Sequence, residues 1–214
     1  MATKRKPSPS PAVSPTPTPV VHHEPTPAEP LSENDILIAE FEYITGNAFQ
    51  ANEDRSKAAS FFLVSVGSLV AAFLGAPAIP TSVYVVVGVL FTALTGLGVL
   101  TIAQLARLRL AWNDAAVAMN QIKTYYTERL PGLENAFHWK GDTLPAKFKF
   151  ASVSFYTVLE VSMLCALTTA AAAYFFQGGG SANAVITGTK CWGLFTLASC
   201  PLIYIALLYY PKKK

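Results

Sequence analysis

Charged residues are scarce in this sequence. They make up 14% of its 214 residues, against roughly 25% in an average soluble domain. The shortage is local: no Asp, Glu, Lys or Arg occurs from Ala58 to Ala106, and between Ala151 and Tyr210 there are only Glu160 and Lys190. A soluble core would interrupt such runs with polar surface positions. A membrane-spanning helix needs only about 20 apolar residues, and these runs are far longer. Cysteine is scarce too. Three cysteines, an odd count lying in or beside apolar segments, offer neither a disulfide framework nor a metal site. His22 and His23 stand together without the further ligands a metal needs. Phosphate-loop, dinucleotide, H-E-x-x-H and G-x-S-x-G patterns are all missing, so the chain reads as a non-enzyme without a cofactor. A net charge of +3 gives no basic face large enough for nucleic acid. The first 57 residues hold no apolar stretch of signal-peptide type, so no cleaved secretory signal is expected.

Residues 1–31 are rich in proline, with nine prolines up to Pro30. Proline removes backbone donors and disfavours helix in its predecessor, so a disordered or polyproline II tail is expected, tipped by Lys4, Arg5 and Lys6. Ser32 and Asp35 then form an S-x-x-D capping pattern. Leu37, Phe41, Ile44 and Ala48 recur at helical spacing as one apolar stripe. This predicts an amphipathic helix over 32–57, running without a stop into a first span at 58–76. A short turn, Ala76-Pro77-Ala78-Ile79-Pro80, leads to a second span at 82–106. No breaker follows until Pro131-Gly132, so helix is predicted on to residue 130, about 70 Å in all at 1.5 Å per residue. Only some 30 Å of that fits a hydrocarbon core. The expected fold is therefore all-α integral membrane, with four transmembrane helices. The first two form a long hairpin with cytoplasmic extensions at 32–57 and 107–130. An interfacial loop at 131–150 mixes aromatics with cations, as in Phe137-His138-Trp139-Lys140. A third span at 151–176, an outer loop at 177–190, a fourth span at 191–210 and a basic tail at 211–214 complete the chain. Pro201 is expected to kink the fourth span.

Basic residues set the orientation. Arg107, Arg109, Lys123, Arg129, Lys140, Lys147 and Lys149 lie between spans two and three, Arg55 and Lys57 before span one, and Lys212, Lys213 and Lys214 at the end. The turn after span one has no cation and the turn after span three has only Lys190. Both termini are thus expected in the cytoplasm, with the protein in the cell membrane. Tyr84 and Trp192 would mark the outer interface, and Trp112, Trp139, Tyr209 and Tyr210 the inner one.

Three features could carry function. Gly67, Ala71 and Gly75 in span one, and Gly88, Thr92 and Gly96 in span two, repeat every four residues. Small residues permit the close backbone contact on which association in lipid depends. They form either an oligomer-forming face or a zipper closing the hairpin within one chain. Glu160 is an acid inside span three, a functional candidate by default. Tyr156, Thr157 and Tyr174 lie within about 60° of it on a helical wheel and could offer hydroxyls. Its possible roles are a proton site, a pore-lining ring, a cation site or a neutral helix-to-helix hydrogen bond. Cys165 and Cys200 fall at similar depth and read as small hydrophobes.

Phe49-Gln50-Ala51-Asn52-Glu53-Asp54-Arg55, the short outer turn and the basic helix from Arg107 to Tyr126 resemble the SLATT families over about residues 32–130. These are two-span membrane effector domains with a helical cytoplasmic extension. The resemblance implies pore formation triggered by a nucleotide-signalling or stress-sensing partner, and no catalytic residue. Spans three and four go beyond the two-span pattern. The function expected first is an oligomeric pore or channel-like effector regulated through its cytoplasmic helices. The alternatives are a scaffold or anchor recruiting partners through its tail and helices, and a small proton-coupled transporter using Glu160. The partners expected are the lipid bilayer, further copies of the chain and a cytoplasmic protein.

Overall fold

The computed structural model describes residues 32–75, 79–130, 132–137, 144, 146–150, 152–178 and 182–210. The expectations for the proline-rich tail at 1–31, for His22, His23 and Trp139, and for the basic tail at 211–214 lie outside the described residues. Among the described residues there are four α-helices and no strand: α1 (Glu33–Leu74), α2 (Tyr84–Arg129), α3 (Val153–Phe176) and α4 (Ala182–Tyr209). A 3-10 turn, Thr81–Val83, leads into α2, and another, Leu133–Ala136, follows it.

Helix α1 starts where its capping pattern requires. The Ser32 hydroxyl accepts the Asp35 N–H, and the Asp35 carboxylate accepts the Ser32 N–H in return. The helix is then continuous for 42 residues, and α2 for 46. Nothing between Ser32 and Gly75, or between Tyr84 and Leu130, removes a backbone donor or adopts positive φ. Gly132, at φ 102°, turns the chain away beyond α2. Helix α3 is capped by the Ser152 hydroxyl, which accepts the Phe155 N–H. Helix α4 begins at Ala182, so residues 182–190 are helical where an outer loop was expected. The physical reason is that no proline follows Gly180 until Pro201, while alanine, the strongest helix former, stands at 182 and 184. Pro201 sits inside α4 and withholds a donor from the Leu197 carbonyl.

Helix α2 is the centre of the structure and packs against α1, α3 and α4. It runs antiparallel to α1 over the length of both. Near one end the Tyr126 hydroxyl donates to Asn34 Oδ1 at 2.7 Å, and Arg129 pairs with Glu33 at 3.5 Å. Farther along, Thr45 meets Met119. At the opposite end the Phe73 and Phe91 rings stack at 5.4 Å. The main core draws on all four helices: Phe62 and Val66; Ile102, Leu105 and Ala106; Val158, Val161 and Cys165; Cys200, Tyr204 and Leu208. A second cluster of Val87, Phe91, Leu94 and Ala172 lies toward the end of the bundle where α1 and α3 finish. Between the clusters, Thr95 bonds Thr168 at 2.9 Å and Thr169 at 3.3 Å, and Thr196 bonds Thr169 at 3.2 Å. These bonds tie α2, α3 and α4 together through hydroxyls.

All four helices contain a stretch long and apolar enough to cross a bilayer. Their large apolar side chains point outward as well as inward: Phe61 and Leu100 are 72% and 66% exposed. In water that exposure would be strongly unfavourable. It points to a membrane-embedded protein.

Candidate functional site

Glu160 lies seven residues into α3, about 10 Å from its first turn. The side chain is exposed on the outside of the bundle, and among the described residues it makes no hydrogen bond or ion pair. A buried glutamic acid bonding one helix of this chain to another is therefore not what the fold builds. Glu160 instead borders a cleft of about 270 Å³ between α1 and α3.

Two helical stripes form the walls. Asn52, Arg55, Ser56, Ala59, Ser60 and Leu63 follow one face of α1, and Val153, Thr157, Glu160, Val161 and Leu164 one face of α3. The cleft exists because α1 and α3 both lean on α2 and touch each other only sparsely. Arg55 closes its polar end, donating to Ser154 Oγ at the start of α3 and to Asn52 Oδ1 on its own helix. Desolvation and the nearby Arg109 guanidinium push Arg55 below its ordinary value, with Tyr204 acting weakly the other way. Arginine starts so high that it stays a cation at any physiological pH. Arg109 is buried on α2. It donates to the carbonyls of Lys147 and Ala146, each at 3.3 Å, and its guanidinium lies 4.7 Å from the Trp112 ring. It thereby holds the segment leading to α3 against α2.

The expected polar companions of Glu160 separate. Thr157 shares the cleft, although its hydroxyl is committed to the Val153 carbonyl at 2.9 Å. Tyr156 is 60% exposed and does not line the cleft. Tyr174 is fourteen residues along α3, about 21 Å away, against the Phe175 ring; sharing a wheel sector does not bring it near Glu160.

The small-residue stripes also sort themselves. Gly67, Ala71 and Gly75 are exposed, as are Thr92 and Gly96. A Cβ at Gly67 or Gly96 would meet no neighbour within 4 Å. Gly88 is the buried member, and it packs on the Phe176 ring of α3 rather than on α1. The chain does not use these stripes to zip α1 to α2. The close approach falls at Gly98, where a Cβ would lie 2.2 Å from Cys165 Sγ and 2.6 Å from Phe62 Cζ. Gly67 and Ala71 continue the α1 face that lines the cleft, at the spacing of four from Leu63. Cys165 and Cys200 are free thiols buried in the main core. No group of three His, Cys, Asp or Glu side chains fit to hold a metal occurs among the described residues.

The sequence reading missed Arg55 and Arg109 as partners of this region, and Gly98 as the packing glycine. The signal for Arg55 was its place one turn before the charge-free run. Fold and composition together define a helical protein with four helices of spanning length among the described residues. No protein-family model matches the chain, and no curated protein or solved structure is significantly similar to it.

Proposed function

We propose that the chain is a non-enzymatic multi-pass membrane protein, with both termini in the cytoplasm, that assembles into an oligomeric pore or channel-like effector. The polar halves of α1 and α2 form its cytoplasmic regulatory part. The observation that carries this reading is the position of Glu160: outside the bundle, unpaired, in a cleft between α1 and α3. A carboxylate in hydrocarbon costs on the order of 2.5–3.5 kcal/mol on insertion scales. A second copy laid along Gly67 and Ala71 would cover the same face and surround the acid with protein and water. The one-sided distribution of Lys and Arg supports the orientation. The SLATT resemblance over 32–130 supports the hairpin and effector role, with α3 and α4 as additions to that plan.

The test is ion flux into liposomes across pH, with the detergent-solubilised mass measured in parallel. In a pore, Glu160→Gln removes a ring of negative charge, so cation preference falls while assembly persists, and Glu160→Asp retains most of it. A proton-coupled transporter would instead lose pH-dependent transport in Glu160→Gln. Wild-type liposomes that never conduct, from a protein that is monomeric in mild detergent, would overturn the pore and leave the scaffold reading.

A further inference from the structure

The apolar stripe at the start of α1 is only partly covered. Ile44 and Ala48 are buried against α2, but Phe41 and Ile38 stay exposed, at 37% and 47%. Together with Leu37, Ile122, Tyr126 and Phe137 they line a groove of about 550 Å³. Its floor is ordered: Tyr126 is fixed through Asn34, and Lys123 lies over the Phe137 ring at 5.6 Å. The groove lies in the polar half of the α1–α2 pair, far along both helices from the apolar runs, so lipid tails are not its natural cover.

We propose that this groove is the docking site for the chain's own proline-rich segment, residues 7–30. Two observations select that occupant. The segment enters α1 at Ser32, and Asn34 is on the rim of the groove, so the ligand is tethered beside its site at high effective concentration. Its chemistry fits. Proline-rich chain in polyproline II is recognised by aromatic-lined grooves, because it has little conformational freedom left to lose. Between Asn34 and Glu42 the groove is about 12 Å long, which about four polyproline II residues would fill. Docking would place the segment across both polar helices and oppose any relative movement of the two. This inference does not depend on conduction.

The experiment uses the full chain. In a Cys191→Ser background, with Cys165 and Cys200 buried, Ile38→Cys is labelled with benzophenone maleimide and irradiated in mild detergent. Mass spectrometry should find crosslinks from position 38 to peptides within 7–30. Mixing nitrogen-15-labelled with unlabelled protein should give pairs of a single isotope. Phe41→Ser, at an exposed position that leaves the helix intact by circular dichroism, should lower the yield by about tenfold, the equivalent of 1.4 kcal/mol. Mixed-isotope pairs would assign the groove to a neighbouring copy and overturn the proposal. Crosslinks confined to residues beyond 31, or to detergent alone, would overturn it too.

Discussion

Gly98→Ala tests the closest approach met at any described glycine. The new Cβ would stand 2.2 Å from Cys165 Sγ and 2.6 Å from Phe62 Cζ, whereas non-bonded carbon contacts settle at about 3.5–4.0 Å. The shortfall is at least about 1.3 Å at the sulfur and about 0.9 Å at the ring. Neither neighbour has room to withdraw, because Cys165 is fully buried and Phe62 is 2% exposed in the same core. Overpacking of this kind costs about 1–3 kcal/mol, and the two-sided clash argues for the upper end. Alanine regains about 1 kcal/mol of helix propensity over glycine, leaving a net loss of about 2 kcal/mol. Gly96→Ala is the matched control, since its Cβ meets nothing within 4 Å; only the propensity gain remains. The assay is reversible unfolding of monomer in mixed micelles, followed by helical circular dichroism. Adding Cys165→Ala removes the sulfur, so the double variant should recover part of the loss, and the cycle measures the coupling directly. Equal stability of Gly98→Ala and Gly96→Ala would refute the packing described here.

Two further outcomes test the polar contacts. Thr95→Val removes the hydroxyl that reaches Thr168 and Thr169 and should destabilise the bundle in micelles by about 0.6–1.7 kcal/mol. Thr101→Val, whose hydroxyl bonds only the Leu97 carbonyl of its own helix, should change little; a reversed ranking would refute the interhelical role. Arg109→Met frees the Ala146 and Lys147 carbonyls, and trypsin should then cut after Lys147 or Lys149 about tenfold faster, the equivalent of 1.4 kcal/mol. Unchanged cleavage would mean that Arg109 does not hold that segment.

Local chemistry carried most of what the sequence disclosed about the fold. The Ser32–Asp35 capping pattern set the start of α1, and the lack of any breaker before Gly75 or Leu130 set the length of the two long helices. These signals act within a few residues and need no tertiary knowledge. The start of α4 escaped because Lys190 and Gly188 lower hydropathy without lowering helix propensity enough to stop a turn. Spanning length and helix length are different quantities. The site was less legible still. A helical wheel shows which residues share a face, but not which helix covers that face or at what height. Tyr174 therefore looked close to Glu160 and is not, while Arg55, on another helix, lines the same cleft. Gly98 escaped because a search for four-residue repeats rewards regular spacing, and a single close approach has none.

The same distinction bears on Glu160. Side chains on a helix lean toward its N-terminus, so Glu160 leans toward Val153 and the Arg55 end of the cleft. That tilt brings the carboxylate nearer the polar rim without an ion pair, since the geometry holds Arg55 on Ser154 and Asn52 instead. A cleft of about 270 Å³ walled by Ser56, Ser60 and Thr157 has room for several waters at about 30 Å³ each and polar groups to hold them. Hydration from that end relieves the desolvation of one carboxylate, but it leaves Gly67, Ala71 and Gly75 exposed along the same helix. Lipid gains nothing from small residues that it would not gain from leucine, whereas a second helix gains close contact. The acid and the stripe thus make different demands on one face, water for the first and backbone for the second. The assembly proposed above, enclosing a wet cleft beside a tight helix pair, would meet both.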